Sequence, residues 1–167
     1  ILTLDVGAHL HLAGQLWRTP GLNHVLMTDG WSSMGFAMPA AIAAKLNCPE
    51  KAVVCVTGDG GFLMMAGEIV TARRLELNVV FVVLADRELS LIAVKQDWKE
   101  VPRYGTDLYV GEYFQAETFM GAPVYRAAST EQMENCIEKA LQQDGPVVVE
   151  AVVDGSEYKE LISKRYK

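Results

Sequence analysis

The chain has 167 residues, half of them apolar by composition, and a formal net charge of −6 at pH 7. Its length and composition predict one globular domain with a sizeable core, and its negative charge argues against a protein that binds the phosphate backbone of nucleic acids. The sequence shows neither an apolar run long enough to span a membrane nor a signal peptide, so we expect a cytoplasmic protein without a membrane segment.

Apolar runs rich in β-branched residues alternate with helix-length segments along the chain. The predicted strands are residues 1–5, 24–28, 52–57, 79–84, 123–126 and 146–153. The predicted helices are residues 10–17, a segment that begins at Pro39, residues 62–75, 89–94 and 111–119, and a helix that Ser129 and Gln132 open as a capping box. This alternation predicts an α/β fold with a doubly wound, mainly parallel sheet of about six strands and helices on both faces.

The predicted strands and helices set the limits of the domain. We expect the domain to cover residues 1–153, and residues 154–167 to form a C-terminal tail that is frayed or contacts a missing part. The chain begins with Ile1 and enters its first strand at once. From this we expect a fragment, a processed chain or a domain of a longer protein.

The cysteines give no sign of a disulfide framework or of a metal centre. Cys48, Cys55 and Cys136 are odd in number and lack metal-ligand spacing. Cys55 also lies within an apolar strand pattern, so buried or incidental thiols are the expected state.

The stretch from residue 52 to residue 92 is the most informative part of the sequence. Two apolar runs, too short for ordinary helices, flank a helix-length segment, which predicts a βαβ unit with parallel strands. The first strand runs into the sequence GDGGF, and the second ends at the sequence ADRE. Because open α/β sheets bind ligands at the carboxyl ends of parallel strands, we expect Asp59 and Asp86 to face one site.

The residue types at this site suit a particular chemistry. Glycines let the backbone approach a ligand closely, and the start of a helix favours negative charge. Two carboxylates would repel a bare phosphate, but they suit a divalent cation such as Mg²⁺ that bridges them to a diphosphate. A Gly-Asp-Gly sequence alone fits an ordinary turn equally well.

The spacing of these motifs resembles a known pattern. GDGGF, a helix, a strand and a short polar loop resemble the thiamine-diphosphate motif, in which Gly-Asp-Gly is followed by about one βα unit and then Asn-Asn. The segment is similar to the C-terminal diphosphate-binding domain of the acetolactate synthase, benzoylformate decarboxylase and pyruvate oxidase group. This resemblance implies thiamine diphosphate and Mg²⁺ as cofactors, with Asp59, Asp86 and the backbone carbonyl of Glu88 as metal ligands. Ala85 and Asp86 replace the Asn pair, and Asp86 keeps a hard oxygen ligand with one extra negative charge.

The start of the chain resembles the same family. The sequence DVGAH looks like the family's DVGQH, whose backbone and side chains contact the diphosphate. The resemblance therefore implies cofactor contacts for Gly7, Ala8 and His9, although a histidine here is more often a packing residue. His11 and His24 have no comparable motif, and we interpret them as structural or surface residues.

A third segment, WSSMGFAMPAAIAA, resembles the family's Gly-x-Met-Gly-x-x-x-Pro-Ala-Ala stretch. In that comparison Met34 props the cofactor into a bent shape, and the carbonyl of Ser32 accepts a hydrogen bond from its aminopyrimidine. Without the resemblance, Met34 would be interpreted as a core residue. The complete set that the resemblance assigns to cofactor binding is Gly7, Ala8, His9, Ser32, Met34, Gly58, Asp59, Gly60, Gly61, Asp86, Glu88 and Leu89.

The resemblance also implies an activity for the parent enzyme. Family members decarboxylate a 2-oxo acid or join it to a second carbonyl compound, and the cofactor supplies the difficult chemistry. The carboxylic acid that activates the cofactor comes from a separate pyrimidine-binding domain, on the same chain or on another subunit, and a homo-oligomer such as a dimer is expected. No part of this chain resembles that domain, so no catalytic residue is assigned and the isolated chain is expected to be inactive.

Two other classes of function remain open. A Rossmann domain that binds a dinucleotide requires Gly-x-Gly-x-x-Gly after its first strand, and the sequence DVGAHLHLAG lacks that spacing. A non-catalytic binding or regulatory module is the second alternative, because Ala85 and Asp86 alter the metal loop.

Overall fold

The computed structural model describes residues 1–108 and 111–163. The strands are β1 (Leu2–Leu4), β2 (Val25–Met27), β3 (Val54–Gly58), β4 (Val80–Ala85), β5 (Thr118–Phe119), β6 (Ala122–Ala127) and β7 (Val147–Val152). The helices are α1 (Ala8–Leu16), α2 (Ala37–Asn47), α3 (Asp59–Met65), α4 (Glu68–Arg74), α5 (Ser90–Trp98), α6 (Thr130–Leu141) and α7 (Tyr158–Ser163).

The strands form a seven-stranded sheet in the order β2-β1-β3-β4-β7-β6-β5. Every neighbouring pair is parallel except β5 and β6, which are antiparallel. All of the predicted strands are present and parallel, and the two-residue β5 is an addition to them. The predicted doubly wound α/β fold is confirmed.

The central strand β4 is buried on both faces of the sheet. Phe81 and Val83 lie in the core cluster that α2, α3 and α4 cover, whereas Val80 and Val82 lie in the cluster that α6 covers. None of these four side chains is more than 2% exposed. A third buried cluster joins α1, α5 and α7, and the first two clusters cover the two faces of β4.

Two compositional expectations concern cysteines and membrane segments. All three cysteines lie in the described part of the chain, and each is a free thiol. Within residues 1–108 and 111–163, no helix combines the length and apolar character that a membrane crossing needs.

The helix predicted over residues 111–119 is wrong. Residues 111–117 are irregular, and the chain then enters β5. The ring of Phe114 is buried and packs against the rings of Phe62 and Phe119, at centroid distances of 5.4 and 5.3 Å. This aromatic packing on the core prevails over the local helix preference of the segment.

Several helix limits differ from the predicted ones. The segment predicted as one helix over residues 62–75 forms two, α3 and α4, which Ala66 and Gly67 join. Both linking residues keep helical backbone angles, but Ile69 and Val70 donate to carbonyls only three residues back, those of Ala66 and Gly67, so the regular α-helical hydrogen bonding is interrupted. Helix α2 begins at Ala37, which puts Pro39 in the first turn, where its missing N–H costs no hydrogen bond. The capping prediction is confirmed, since the Ser129 side chain accepts a hydrogen bond from the backbone N–H of Gln132 at 3.2 Å.

The C-terminal segment is more ordered than predicted. Helix α7 packs against α1 and α5, with Tyr158 and Ile162 buried. The frayed-tail prediction is therefore wrong for residues 158–163, whereas residues 164–167 lie outside the described residues. Tyr158 and Ile162 lie four residues apart, and this apolar spacing is the helical signal that the sequence prediction overlooked. The domain boundary after residue 153 stays a prediction.

The order of the strands creates a crevice at one edge of the sheet. Strands β1 and β3 are neighbours, but the chain continues from β1 to β2 on one side and from β3 to β4 on the other. The connections after β1 and β3 therefore diverge, and a doubly wound sheet binds ligands where this happens, outside the carboxyl ends of the strands.

Candidate functional site

A cavity of about 430 Å³ lies at the carboxyl ends of β1, β3 and β4. Every residue that the sequence assigned to cofactor binding lines it: Gly7, Ala8, His9, Ser32, Met34, Gly58, Asp59, Gly60, Gly61, Asp86, Glu88 and Leu89. These residues come from four separate stretches of the chain. The fold brings them together at the edge where the sequence predicted a shared site.

Asp59 opens helix α3 directly after β3, and its carboxylate is held by three donors. The backbone N–H of Gly60 donates to Oδ1 at 2.8 Å. The backbone N–H of Arg87 and the hydroxyl of Tyr113 donate to Oδ2 at 2.7 and 3.1 Å. The loop after β4 and the segment before β5 thus both contact the carboxylate at the end of β3.

Asp86 follows β4, the strand next to β3. Its Oδ1 accepts a hydrogen bond from the backbone N–H of Glu88 at 3.2 Å, and its Oδ2 accepts one from the hydroxyl of Ser90. The two aspartates therefore stand at adjacent strand ends, as the βαβ pattern predicted, and both side chains line the same cavity.

Asp59 and Asp86, the acid pair of this site, lie in an environment that disfavours negative charge. Burial raises the pKa of Asp59, the hydrogen bond from the Arg87 N–H opposes this, and the charge of Asp86 raises that pKa further. Burial is also the main cause that raises the pKa of Asp86. A cation between these carboxylates would offset both the burial and the mutual repulsion.

The side chain of Glu88 is held by Arg103 and Thr106. Its carboxylate accepts hydrogen bonds from Arg103 at 3.0 and 3.1 Å and from Thr106 at 3.1 Å. Its contribution to a metal site would therefore be the backbone carbonyl that the family resemblance implied. Within the described residues no three acidic, histidine or cysteine side chains cluster as metal ligands.

His9 lies in the first turn of α1 and is buried, with 7% of its surface exposed. Its Nε2 atom has no hydrogen-bond partner among the described residues. Burial lowers the pKa of His9 to about 4, against the opposing charge of Asp5. The imidazole is therefore neutral at neutral pH, and its Nε2 is a buried polar atom with unused hydrogen-bonding capacity among the described residues.

Asp5 organises the loops around the cavity, although the sequence gave it no role. It is fully buried and accepts hydrogen bonds from the backbone N–H of Gly35 at 2.9 Å and from the hydroxyl of Thr57 at 2.8 Å. A Cβ on Gly61 would lie 2.7 Å from that Thr57 hydroxyl. Asp5 thus joins the ends of β1 and β3 to the loop that carries Met34, and Gly61 is required where α3 approaches them.

Gly60 lines the cavity, and its neighbours leave no room for a side chain at this position. A Cβ there would lie 2.7 Å from Cδ2 of Leu89 and 3.1 Å from Cε of Met34. Met34 therefore lies over the glycine-rich turn. The family resemblance placed it on the cofactor, whereas spacing alone would have assigned it to the core.

Sequence reasoning missed part of the cavity wall. The further lining residues are Val6, Leu10, His11, Leu84, Ser90, Leu91, Ile92, Lys95 and Tyr158. Positions 91, 92 and 95 share one face of α5, a helical spacing that could have been read from the sequence. The sequence gave no sign that Tyr158 contacts the cavity, because α7 reaches it only through its packing on α1 and α5.

A crevice at the switch point of a doubly wound sheet, lined by a glycine-rich turn and two carboxylates, defines the class: an α/β cofactor-binding domain. Residues 5–151 match the family model described as "Thiamine pyrophosphate enzyme, C-terminal TPP binding domain". The chain belongs to this family. Thiamine diphosphate is thus the cofactor of this domain, and Mg²⁺ is its usual partner in the family.

Two of the similar proteins are named acetolactate synthases. The chain is 34% identical over 155 residues to the catabolic acetolactate synthase of Raoultella terrigena, which covers 92% of this chain and 27% of that protein. It is 30% identical over 164 residues to the acetolactate synthase of Bacillus subtilis (strain 168), which covers 98% of this chain and 29% of that protein. The chain thus spans less than a third of the length of these relatives.

The fold has a solved counterpart. The benzoylformate decarboxylase of Polynucleobacter necessarius superposes with a TM-score of 0.80 over 92% of this chain and 30% of that protein. The sequence identity of 18% makes this a likeness of fold. It agrees with the predicted doubly wound architecture.

Proposed function

We propose that this chain is the diphosphate-binding and Mg²⁺-binding part of an acetolactate synthase-like enzyme that decarboxylates or ligates a 2-oxo acid. The observation that carries the proposal is the meeting of the Asp59 and Asp86 carboxylates in one cavity with the glycine-rich turn. The names of the relatives support the substrate class.

The described residues fit Mg²⁺ and a diphosphate by their chemistry. Asp59, Asp86 and the carbonyl of Glu88 supply the hard oxygen ligands that Mg²⁺ prefers. Gly7 and the glycines of residues 58–61 offer backbone close to a diphosphate, and the unpartnered Nε2 of buried His9 offers one polar atom more. The bound cofactor supplies the electron sink, and these residues supply its position and its electrostatic environment.

The activating acid is proposed to lie outside this chain. The cofactor needs a carboxylic acid beside its pyrimidine ring, and we place that acid on a pyrimidine-binding domain of the same polypeptide or of another subunit in a homo-oligomer. The relatives' greater length supports this, since the chain covers 27% and 29% of the two acetolactate synthases.

Calorimetric titration of the chain with thiamine diphosphate, with Mg²⁺ and with a chelator instead, tests the proposal. We expect binding only with Mg²⁺ and a loss of affinity of about tenfold or more in Asp59→Ala, because the change removes a metal ligand. Asp144→Ala, in the exposed turn before β7, is the matched control and should bind like the unchanged chain.

Two results would contradict the proposal. Binding that is equally tight without Mg²⁺, or unaffected by Asp59→Ala, would remove the metal from the site. Binding of a nicotinamide dinucleotide in place of thiamine diphosphate would favour the Rossmann alternative.

A further inference from the structure

The two oxygens of the Asp59 carboxylate accept different numbers of hydrogen bonds. An ionised carboxylate offers about four acceptor positions, roughly two on each oxygen. Oδ2 accepts from both the Arg87 N–H and the Tyr113 hydroxyl, whereas within residues 1–108 and 111–163 Oδ1 accepts only from the Gly60 N–H. The open position on Asp59 is therefore on Oδ1.

The two donors to Oδ2 come from different parts of the chain. Arg87 has a left-handed backbone with φ of 66°, which turns its N–H toward the carboxylate. Tyr113 lies 54 residues away from Asp59 in sequence, and its hydroxyl completes the pair. Donors fixed at two separate points restrict rotation of the carboxylate more than either donor alone.

The tyrosine ring is itself held by the core. It packs edge-on against Phe114 at 6.5 Å between centroids, and the Arg87 guanidinium lies over its face at 5.8 Å. Phe114 is 7% exposed and belongs to the core cluster beneath α3. The hydroxyl is thus fixed in place by an aromatic cluster and by a cation–π contact.

We propose that Tyr113 is a positioning residue that turns the Asp59 carboxylate so that Oδ1 faces the divalent cation as a single-oxygen ligand. This inference rests on the proposed function, because it concerns the same metal site. Removal of the hydroxyl would let the carboxylate rotate, and Mg²⁺ would then have to fix an orientation that Tyr113 now supplies.

Tyr113→Phe tests the inference because it keeps the ring and removes only the hydroxyl. With thiamine diphosphate saturating, we expect its Mg²⁺ dissociation constant to rise by about tenfold. With Mg²⁺ saturating, the dissociation constant of thiamine diphosphate should change much less, since Tyr113 does not line the cavity. Tyr125→Phe, on β6 in the other core cluster, is the matched control and should change neither constant.

A purely structural role of Tyr113 gives a different result. In the Asp59→Ala background, Tyr113→Phe should have no further effect on Mg²⁺ affinity, whereas a general loosening of the fold would persist there. All titrations are made well below the unfolding midpoint of each variant, so that a change in stability does not enter the comparison.

The outcomes separate the inference from the proposed function. If the unchanged chain shows no Mg²⁺-dependent binding, the proposed function fails. If it binds but Tyr113→Phe leaves the Mg²⁺ constant unchanged, the positioning role is overturned. A tighter Mg²⁺ constant in Tyr113→Phe also overturns it, because the hydroxyl would then be competing with the metal for Asp59.

Discussion

His9 shows how burial of one side chain makes stability depend on pH. Its pKa is lowered to about 4 in the folded chain, whereas an unfolded histidine has its ordinary value of 6.5. Below pH 6.5 the unfolded chain takes up a proton that the folded chain does not, so stability falls until the pH reaches the folded value.

We predict that His9 lowers the free energy of unfolding by about 3 kcal/mol as the pH falls from about 6.5 to about 4. His9→Gln should lack this part of the decline. Denaturant unfolding of the unchanged chain and of His9→Gln, both without cofactor, gives the free energy of unfolding at a series of pH values. The difference between the two curves isolates His9, because every other group titrates in both proteins. Parallel stability curves for the two proteins would contradict the prediction.

Residue roles were predictable where the signal is local. Asp59 and Asp86 each follow a strand in a recognisable motif, so their shared site could be predicted from sequence. Asp5 and Tyr113 could not, because their roles depend on partners 52 and 54 residues away. Only the folded chain brings such partners together.

At the scale of elements, residues 103–108 contact the loop that carries two of the three predicted metal ligands, Asp86 and Glu88. The backbone N–H of Leu89 donates to the carbonyl of Thr106 at 2.7 Å, and that of Leu108 donates to the carbonyl of Arg87 at 3.0 Å. The Arg103 guanidinium bridges Glu88 and Asp97 at 3.0 and 2.8 Å. These hydrogen bonds and ion pairs hold the loop from outside the cavity.

We predict that Arg103→Ala speeds amide hydrogen exchange at Leu89 and Leu108 by up to about fivefold, because exposed ion pairs contribute little to stability. Added salt should shrink the difference from the unchanged chain. Lys99→Ala removes a neighbouring exposed positive charge and is the control. Equal exchange rates in Arg103→Ala and the unchanged chain at low salt would show that the ion pairs do not order the loop.

Element prediction succeeded where hydrophobic pattern decides the structure. The strands were found because continuous β-branched runs leave few alternatives for a parallel sheet. The helix predicted over residues 111–119 failed because Phe114 is drawn into the core by Phe62 and Phe119, which no local pattern reveals. Helix α7 was missed because its buried positions are few and its neighbours in sequence are polar.

At the scale of the whole molecule, the chain contains the candidate cofactor cavity but spans only 27% and 29% of the length of the two acetolactate synthases. We predict that the isolated 167-residue chain does not decarboxylate pyruvate or another 2-oxo acid. The reason is that the acid beside the pyrimidine ring is proposed to lie on another domain. A carbon dioxide release assay measures this, with Mg²⁺-dependent cofactor binding in the same sample as the control. Turnover above the rate of free cofactor would contradict the prediction.

Strand β7 has a consequence for how the protein is made. It inserts between β4 and β6, both of which precede it in sequence. During synthesis, β4 therefore keeps an unpaired edge until residues 147–152 have left the ribosome, and the strands on its far side cannot join the rest. An open edge is a template for association with other chains. The sheet of this domain thus closes only when β7 inserts, and until then the open edge of β4 is exposed to association with other chains.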